Sequence, residues 1–449
     1  MNRRLGLRAN FVTWLALIVG VGFVLRVVVV ALASRDLAFG DGIWYHSEAQ
    51  IIGGGHGFLA PGQYVFGGRH LATAEHPPLY PSLLAIITWA GHTSVRNFQL
   101  ADACFGAAGT AVMGYLGRAV AGRRVGLAAA ALTAIAPNVW QYDAMVISES
   151  LLVFTLGLFL LAVFRFWDRP GLWSAAVLGV TLALATYTRV EMVFLGLVIV
   201  VPVVLWNPRL GGATVKLRAV AVAGAVTVAL LAPWVVRNLT TFDRTVFLSN
   251  NLDSVIAGAN CESMYSGKGL GWWTPTCNVE GLPRFGEQSV VFAKIRQRGI
   301  SYATDHAGRL PVVALARAGR TWEVFQPFEN IGYDGRPDAV WIASTLMFYV
   351  LAVLGVIGAV MLRRARRLVW PLAVMAPFVT AIAFLTCGLS RLRFPLDIAL
   401  LVLAAVPIER LLFRSRTGVR IGPIEHRGAD VGDGHDRAAN DARRITEAR

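Results

Sequence analysis

Charge is scarce in this chain, and lysine is nearly missing. Only 15% of the 449 residues are charged, and the lysines are Lys216, Lys268 and Lys294 alone. A soluble globular domain carries about 25% charged residues, so a large solvated surface is excluded. Nucleotide signatures are missing too. There is no P-loop, and no Gly-x-Gly-x-x-Gly opens a helix after a strand; Gly53-Gly54-Gly55 reads as a flexible turn. Cysteine is limited to four residues. Cys104 and Cys387 fall in apolar runs, whereas Cys261 and Cys277 share one long polar loop. That pair can form a disulfide if the loop faces an oxidising compartment, and two unpaired thiols are the alternative.

What the chain does have is apolar sequence. Hydrophobic residues make up 55%, in long runs separated by short Arg-rich punctuation, the pattern of an integral membrane protein. The net charge of +15 comes almost wholly from Arg at the ends of those runs. It therefore reads as a membrane-orientation signal and not as a nucleic-acid surface. The first run, 11–33, follows Arg3, Arg4 and Arg8 and contains Ala31-Leu32-Ala33, which imitates a cleavage site. It is longer than a signal core of roughly 7–15 residues and reads as an uncleaved first helix.

Spanning segments are expected at about 11–33, 97–117, 125–141, 149–166, 171–187, 190–206, 219–235, 341–362, 368–387 and 394–412. The fold class is thus all-α and polytopic, with about ten transmembrane helices; ten to thirteen are compatible with the pattern. The stretch 79–90 is too short to span and opens on Pro77, Pro78 and Pro81. If it crossed, the arginine groups between Arg118 and Arg367 would all turn outward, so it is read as lying at the surface. Both termini are then cytoplasmic. Residues 34–96, the turns at 141–148 and 188–190, and the loop 236–340 lie outside. The expected organisation is an N-terminal transmembrane catalytic module over 1–235 with its outer segment 34–96, an extracytoplasmic loop domain over 236–340, C-terminal helices over 341–412, and a disordered cytoplasmic tail over 413–449. His426 and His435 in that tail read as solvated.

Candidate chemistry gathers on the outer face. Asp41 starts a stretch that reads as a surface helix, with Trp44 and Tyr45 suited to the membrane interface, and helix capping by Asp41 is as good a reading as catalysis. Glu75 and His76 precede a double proline that holds them at a defined place. Glu149 heads the fourth apolar segment, either as a functional carboxylate or as a first-turn residue behind a Ser148 cap. Arg189 and Glu191 flank Val190 in a turn, as an ion pair or as ligands. Arg391 and Arg393 sit at the outer start of the last helix, against the charge rule, so an anion is expected beside them: a lipid-linked phosphate or a phospholipid headgroup.

These pieces, in this order, resemble the GT-C superfamily of polyprenyl-phosphate-dependent glycosyltransferases, especially ArnT-like and protein O-mannosyltransferase-like enzymes. The marks are Asp41, the run Glu75-His76-Pro77-Pro78-Leu79-Tyr80-Pro81, Thr188-Arg189-Val190-Glu191, Pro233-Trp234-Val235-Val236-Arg237-Asn238 and Arg391-Leu392-Arg393-Phe394-Pro395. The resemblance covers about residues 10–412. It implies Asp41 as catalytic carboxylate with Glu149 as the second acid. It also implies His76, Arg391 and Arg393 as ligands of the carrier phosphate, and Glu75 as a metal ligand. His76 stands where relatives often carry Lys, and no partner His for a metal is identified among His56, His70 and His306, so a divalent cation stays open.

The expected activity is glycosyl transfer from a polyprenyl-phosphate-linked sugar to an acceptor hydroxyl at the outer face of the plasma membrane, with inversion and with Asp41 as general base. The partners implied are that donor, a glycan, lipid or protein acceptor, and membrane lipids, without nucleic acid. A transporter or lipid flippase is the alternative; against it, the acids gather at one face and the halves show no similarity.

Overall fold

The computed structural model describes residues 10–413 apart from 36, 38, 39, 280–285, 330–332 and 334. The N-terminal arginines and the expected tail from 414 onward lie outside the described residues. Up to Arg410 the chain forms one compact unit; the second unit begins at Leu411. The described residues are helical, without a strand, and Leu59 and Ala72 form an isolated antiparallel bridge.

Among the described residues, four helices are long and apolar enough to cross a membrane: Phe11–Leu32, Glu149–Asp168, Ala213–Thr241 and Asp338–Arg364. Glu149–Asp168 is the central one. Its apolar window is 78% buried, against 22% to 33% for the other three, whose outer faces are left for lipid. The remaining expected segments are helical but less regular. The segment 97–117 falls inside Val95–Ala121. The segment 125–141 is interrupted: Arg123–Ile135 stops before Pro137, which opens the separate turn Pro137–Trp140, because a residue preceding proline is pushed out of helical geometry. The segment 190–206 passes from a 3₁₀ turn (Val190–Phe194) through a π turn (Gly196–Val200) into Val201–Leu205, where Pro202 has no N–H to return to the preceding turn. The segment 368–387 divides into Trp370–Ala373 and Met375–Leu385. The stretch at 79–90 forms the helix Leu79–Trp89, 11 residues long. At 1.5 Å per residue that is about 16 Å, half of a bilayer core.

Small residues let the core helices approach. Val95–Ala121 packs on both Glu149–Asp168 and Arg123–Ile135; a Cβ on Gly117 would lie 2.9 Å from that of Ala129. An ion pair is enclosed in this bundle. Arg26, fully buried on the first helix, pairs with buried Asp143, which also accepts a 2.8 Å hydrogen bond from the Ser150 hydroxyl. Arg26 donates further to the Thr133 carbonyl at 3.2 Å, and the pair ties the turn 141–144 to the first helix.

Between the long helices, the helix Asp41–Gly53 lies on Leu79–Trp89, and in the region 236–340 Asn251–Ala259 packs on Gln288–Asp305. Cys261 and Cys277 are joined in a disulfide in that region. Two residues clamp these segments together. Gln288 accepts from the Thr73 hydroxyl and the Ala74 amide, both at 2.9 Å, and Arg237 donates to the carbonyls of Thr73 (2.8 Å) and Phe58 (3.1 Å). The backbone leading to Glu75 and His76 is thereby held in place from both sides.

Candidate functional site

The local sequence places Asp41 with little freedom. Gly40 takes φ 124°, ψ −147°, a conformation open to glycine alone, and a Cβ on Gly42 would stand 2.5 Å from the Met145 carbonyl. Between these glycines Asp41 begins the helix without capping it, since Gly40 is the cap residue and no side chain caps this end. Its carboxylate instead pairs with Arg391 at 2.6 Å, across nearly the whole length of the chain. Burial pushes the carboxyl up, but the Arg391 guanidinium outweighs that effect and holds it at about 2.

A second pair lies beside the first. Glu149 is buried, and Ser148 in front of it makes no side-chain cap; its carboxylate takes Arg189 at 2.5 Å, and Arg189 also holds Glu191 at 2.6 Å. Arg189, Arg391 and Glu149 act on one another electrostatically. Asp41, Glu149, Arg189 and Arg391 are therefore brought to one place. The capping readings of Asp41 and Glu149 do not describe their contacts, while the ion-pair reading of Arg189 with Glu191 does.

Tyr45 does not face the membrane interface. It is buried, its ring 4.5 Å from His76 and 4.8 Å from Tyr80, with Trp44 on the other side of His76 at 6.1 Å. Enclosed in this way, His76 is lowered by burial to about 4 and is neutral at pH 7.

Glu75 accepts from Gln288 Nε2 at 3.2 Å and is raised by burial, then by Asp41 and Glu48, to about 8. Glu48 is the residue that sequence reasoning missed. Its two carboxyl oxygens are buried and, among the described residues, have no hydrogen-bond partner. The signal was available: 41, 45 and 48 share one face of a helix at i, i+4 and i+7.

Glu48 and Glu75 supply hard oxygen donors suited to a magnesium-like cation more than to zinc. Among the described residues, however, no group of three or more His, Cys, Asp or Glu is gathered to hold a metal. The donor set is thus incomplete, and no chemical step is routed through a metal. His306 stacks on Tyr302, and His56 and His70 meet edge to face with Tyr64 between them, away from these carboxylates in their contacts.

Arg393 stands apart from the cluster. It is buried between Asp397 at 3.0 Å and Glu323 at 3.1 Å, donates to the Thr321 carbonyl at 3.0 Å, and lies 3.5 Å over the Phe348 ring. Carboxylates of the chain thus lie beside both Arg391 and Arg393.

Asp41 and Arg391 form part of the wall of a cavity of about 440 Å³ between the C-terminal end of Phe11–Leu32 and the N-terminal end of Asp338–Arg364. Its wall is mainly apolar and aromatic, which is the usual make-up of a site for a small molecule.

Residues 75–236 match the family described as dolichyl-phosphate-mannose-protein mannosyltransferase. That segment includes Glu75, His76, Glu149, Arg189 and Glu191 and leaves out Asp41 and Arg391. No curated protein matches the chain significantly. Among solved structures, the archaeal oligosaccharyltransferase AglB from Archaeoglobus fulgidus, in complex with an inhibitory peptide and a dolichol-phosphate, is similar at 14% identity, TM-score 0.53, over 92% of this chain and 52% of that one. The Archaeoglobus fulgidus oligosaccharyltransferase in complex with Zn and sulfate is similar at 14% identity, TM-score 0.51, over 89% and 49%. This chain has the GT-C fold. It spans about half the length of those oligosaccharyltransferases. ArnT from Cupriavidus metallidurans bound to undecaprenyl phosphate is similar at 18% identity over 88% of this chain and 78% of that one, with a TM-score of 0.41 that carries no argument. Within the GT-C fold, the family match covers the segments carrying Glu149 and Arg189, and the turn Ser390–Arg393 before the last helix supplies Arg391.

Proposed function

We propose that this chain is a membrane glycosyltransferase that takes a sugar from a polyprenyl-phosphate carrier and passes it to an acceptor hydroxyl, with inversion at the anomeric carbon. The observation that carries this reading is the Asp41–Arg391 pair on the cavity wall, with the Glu149–Arg189 pair in electrostatic contact. The donor class is taken from the relative solved with dolichol-phosphate.

In the proposed reaction the acceptor oxygen bonds to the anomeric carbon as the bond from that carbon to the phosphate oxygen breaks. The acceptor proton passes to Asp41, and the carrier leaves as its phosphate with the electron pair. A carboxylate held at about 2 is a weak base. The carrier phosphate competes with Asp41 for Arg391. Once Arg391 turns to the phosphate, the Asp41 pKa rises, so the base strengthens as the leaving group is stabilised. Glu149 positions Arg189 as the second cation. His76, neutral, serves as a hydrogen-bonding contact, and Arg393 supports the last helix in place of touching the carrier.

The same reading sets ten crossings with both termini in the cytoplasm and the site on the outer face of the plasma membrane. Its test is release of free carrier phosphate from a panel of polyprenyl-phospho-sugars by the purified protein in lipid. Release is expected with at least one donor and is expected to fall at least 10³-fold, on the order of 4 kcal/mol, in Asp41→Asn. Undiminished turnover in that variant removes Asp41 from the mechanism, and no release with any donor favours transport.

A further inference from the structure

We infer that residues 310–325 form a re-entrant segment seated in the bilayer, and that the partner of its exposed face is the acyl-chain layer of the membrane. The inference goes beyond the proposed activity and does not depend on it. Its ground is the reading of 341–362 and 368–387 as spanning segments, and it moves part of the region 236–340 from water into lipid.

The helix Leu310–Thr321 carries its charge on the buried side and apolar side chains on the exposed one. Arg317 and Arg320 are 4% and 3% exposed, whereas Val312 is 46% exposed, Leu315 69% and Val324, just past the helix, 73%. A helix facing water has the opposite arrangement. Both guanidinium groups turn into the protein. Arg317 donates to the Ala259 carbonyl at 2.8 Å and to Asn260 Oδ1 at 2.9 Å, and Arg320 donates to the Leu270 carbonyl at 2.6 Å. These arginines interrupt the apolar run, so run length alone passes over the segment.

Two spanning segments fix how far it descends. The helix packs on Met375–Leu385, with Arg317 Nη1 donating to the Phe384 carbonyl at 3.4 Å and Trp322 Nε1 donating to Thr380 Oγ1 at 2.9 Å. Phe384 and Thr380 stand three and seven positions short of residue 387. On the other side Trp322 meets Phe348 edge to face at 6.2 Å, and the Tyr349 hydroxyl donates to the Glu323 carbonyl. Phe348 and Tyr349 stand seven and eight positions past residue 341. At 1.5 Å per residue both routes put Trp322 and Glu323 about 10 Å inside the ends of the spans. Acyl chains reach that depth; a soluble partner does not. Phe384, beside Arg317, is itself exposed, so the apolar surface continues onto the spanning segment.

The tip is built as a turn inside lipid must be, with its backbone satisfied from within. Glu323 takes φ 52° and closes the helix end: its N–H returns to the Arg320 carbonyl at 2.9 Å, and the N–H groups of Val324 and Phe325 return to the Gly319 carbonyl at 2.8 and 3.0 Å. The Thr321 carbonyl takes Arg393 at 3.0 Å, the Glu323 carbonyl takes Tyr349, and the Glu323 carboxylate pairs with Arg393 at 3.1 Å. No charge is thus left to face lipid at the tip.

The test uses the full chain in vesicles of phosphatidylcholine and phosphatidylglycerol. In a variant lacking Cys104 and Cys387, Val312→Cys, Leu315→Cys and Val324→Cys each carry a bimane fluorophore, and Lys268→Cys, at a side chain 88% exposed, is the water-facing control. Fluorescence is expected to be lost to doxyl-labelled phosphatidylcholine, increasingly from position 312 to 324, and to be kept in iodide; the control is expected to do the reverse. Quenching at Leu315→Cys and Val324→Cys by iodide in place of the doxyl lipid puts the face in water and overturns the inference. Quenching by neither puts the face against protein, a second copy or another chain, and overturns it too. The unsubstituted chain gives a second readout that no variant can disturb. After irradiation in vesicles whose phosphatidylcholine carries a diazirine on its acyl chain, lipid adducts are expected on the peptides holding Leu315 and Val324. Adducts confined to the spanning helices overturn the inference. Both readouts need neither donor nor acceptor, so their failure is separate from failure of the Asp41→Asn test.

Discussion

Arg391 and Asp41 neutralise each other before any substrate arrives, and this fixes how the site responds to acid. The unfolded carboxyl titrates at 3.8 and the folded one at about 2. Between those values the unfolded chain binds a proton that the folded chain refuses. Stability contributed by the pair is therefore complete above pH 3.8 and is lost as the pH falls toward 2. Arg391→Ala is expected to bring the folded carboxyl up toward or above 3.8 and so remove this part of the slope. Thermal unfolding of the detergent-solubilised protein between pH 2 and 4 measures it. A slope unchanged by the substitution would assign the acid sensitivity to other carboxylates.

Elements, not single side chains, fix where that pair can form. The Asp41–Gly53 helix meets the turn before Glu149 with no room to spare, because Gly42 faces the Met145 carbonyl directly. Gly42→Ala is expected to shift the helix start, costing about 1–3 kcal/mol of stability through overpacking. Transfer is expected to fall about 10- to 100-fold, since small misplacements of a catalytic group are costly. Parallel thermal unfolding and carrier-release measurements check both. At this scale much was legible in the sequence. Run lengths pointed to helices, four of which, among the described residues, are long and apolar enough to cross a membrane, and the short stretch at 79–90 forms a helix of 11 residues. What was not legible came from tertiary contact. Pro137 and Pro202 mark irregular turns inside apolar runs whose composition alone reads as continuous. Tyr45 turned inward because His76 and Tyr80 give it an aromatic pocket that outweighs the interface. Glu48 could have been found from its helical spacing with Asp41. The pairing of Asp41 with Arg391 could not, since nothing local relates two residues so distant in the chain.

For the whole molecule, the balance of arginine is the ground of the proposed topology, which can be read out directly. In a variant lacking Cys104 and Cys387, a single cysteine at Asn251 is expected to react with an impermeant maleimide added to intact cells. One at Arg364 is expected to react only after the cells are opened. The reverse pattern would place the acidic cluster in the cytoplasm and end the outer-face reading.

The ties across this molecule also bear on its biogenesis. Gln288 joins Thr73 over a separation of 215 residues, and Asp41 meets a partner in the turn Ser390–Arg393 before the last helix. Contacts this distant form only after the intervening chain has been made. During synthesis Asp41 thus stands in the emerging polypeptide without its guanidinium, and the pair is completed only once the turn Ser390–Arg393 has been made. On the proposed function, a chain stalled before Arg391 is expected to accumulate without transfer activity.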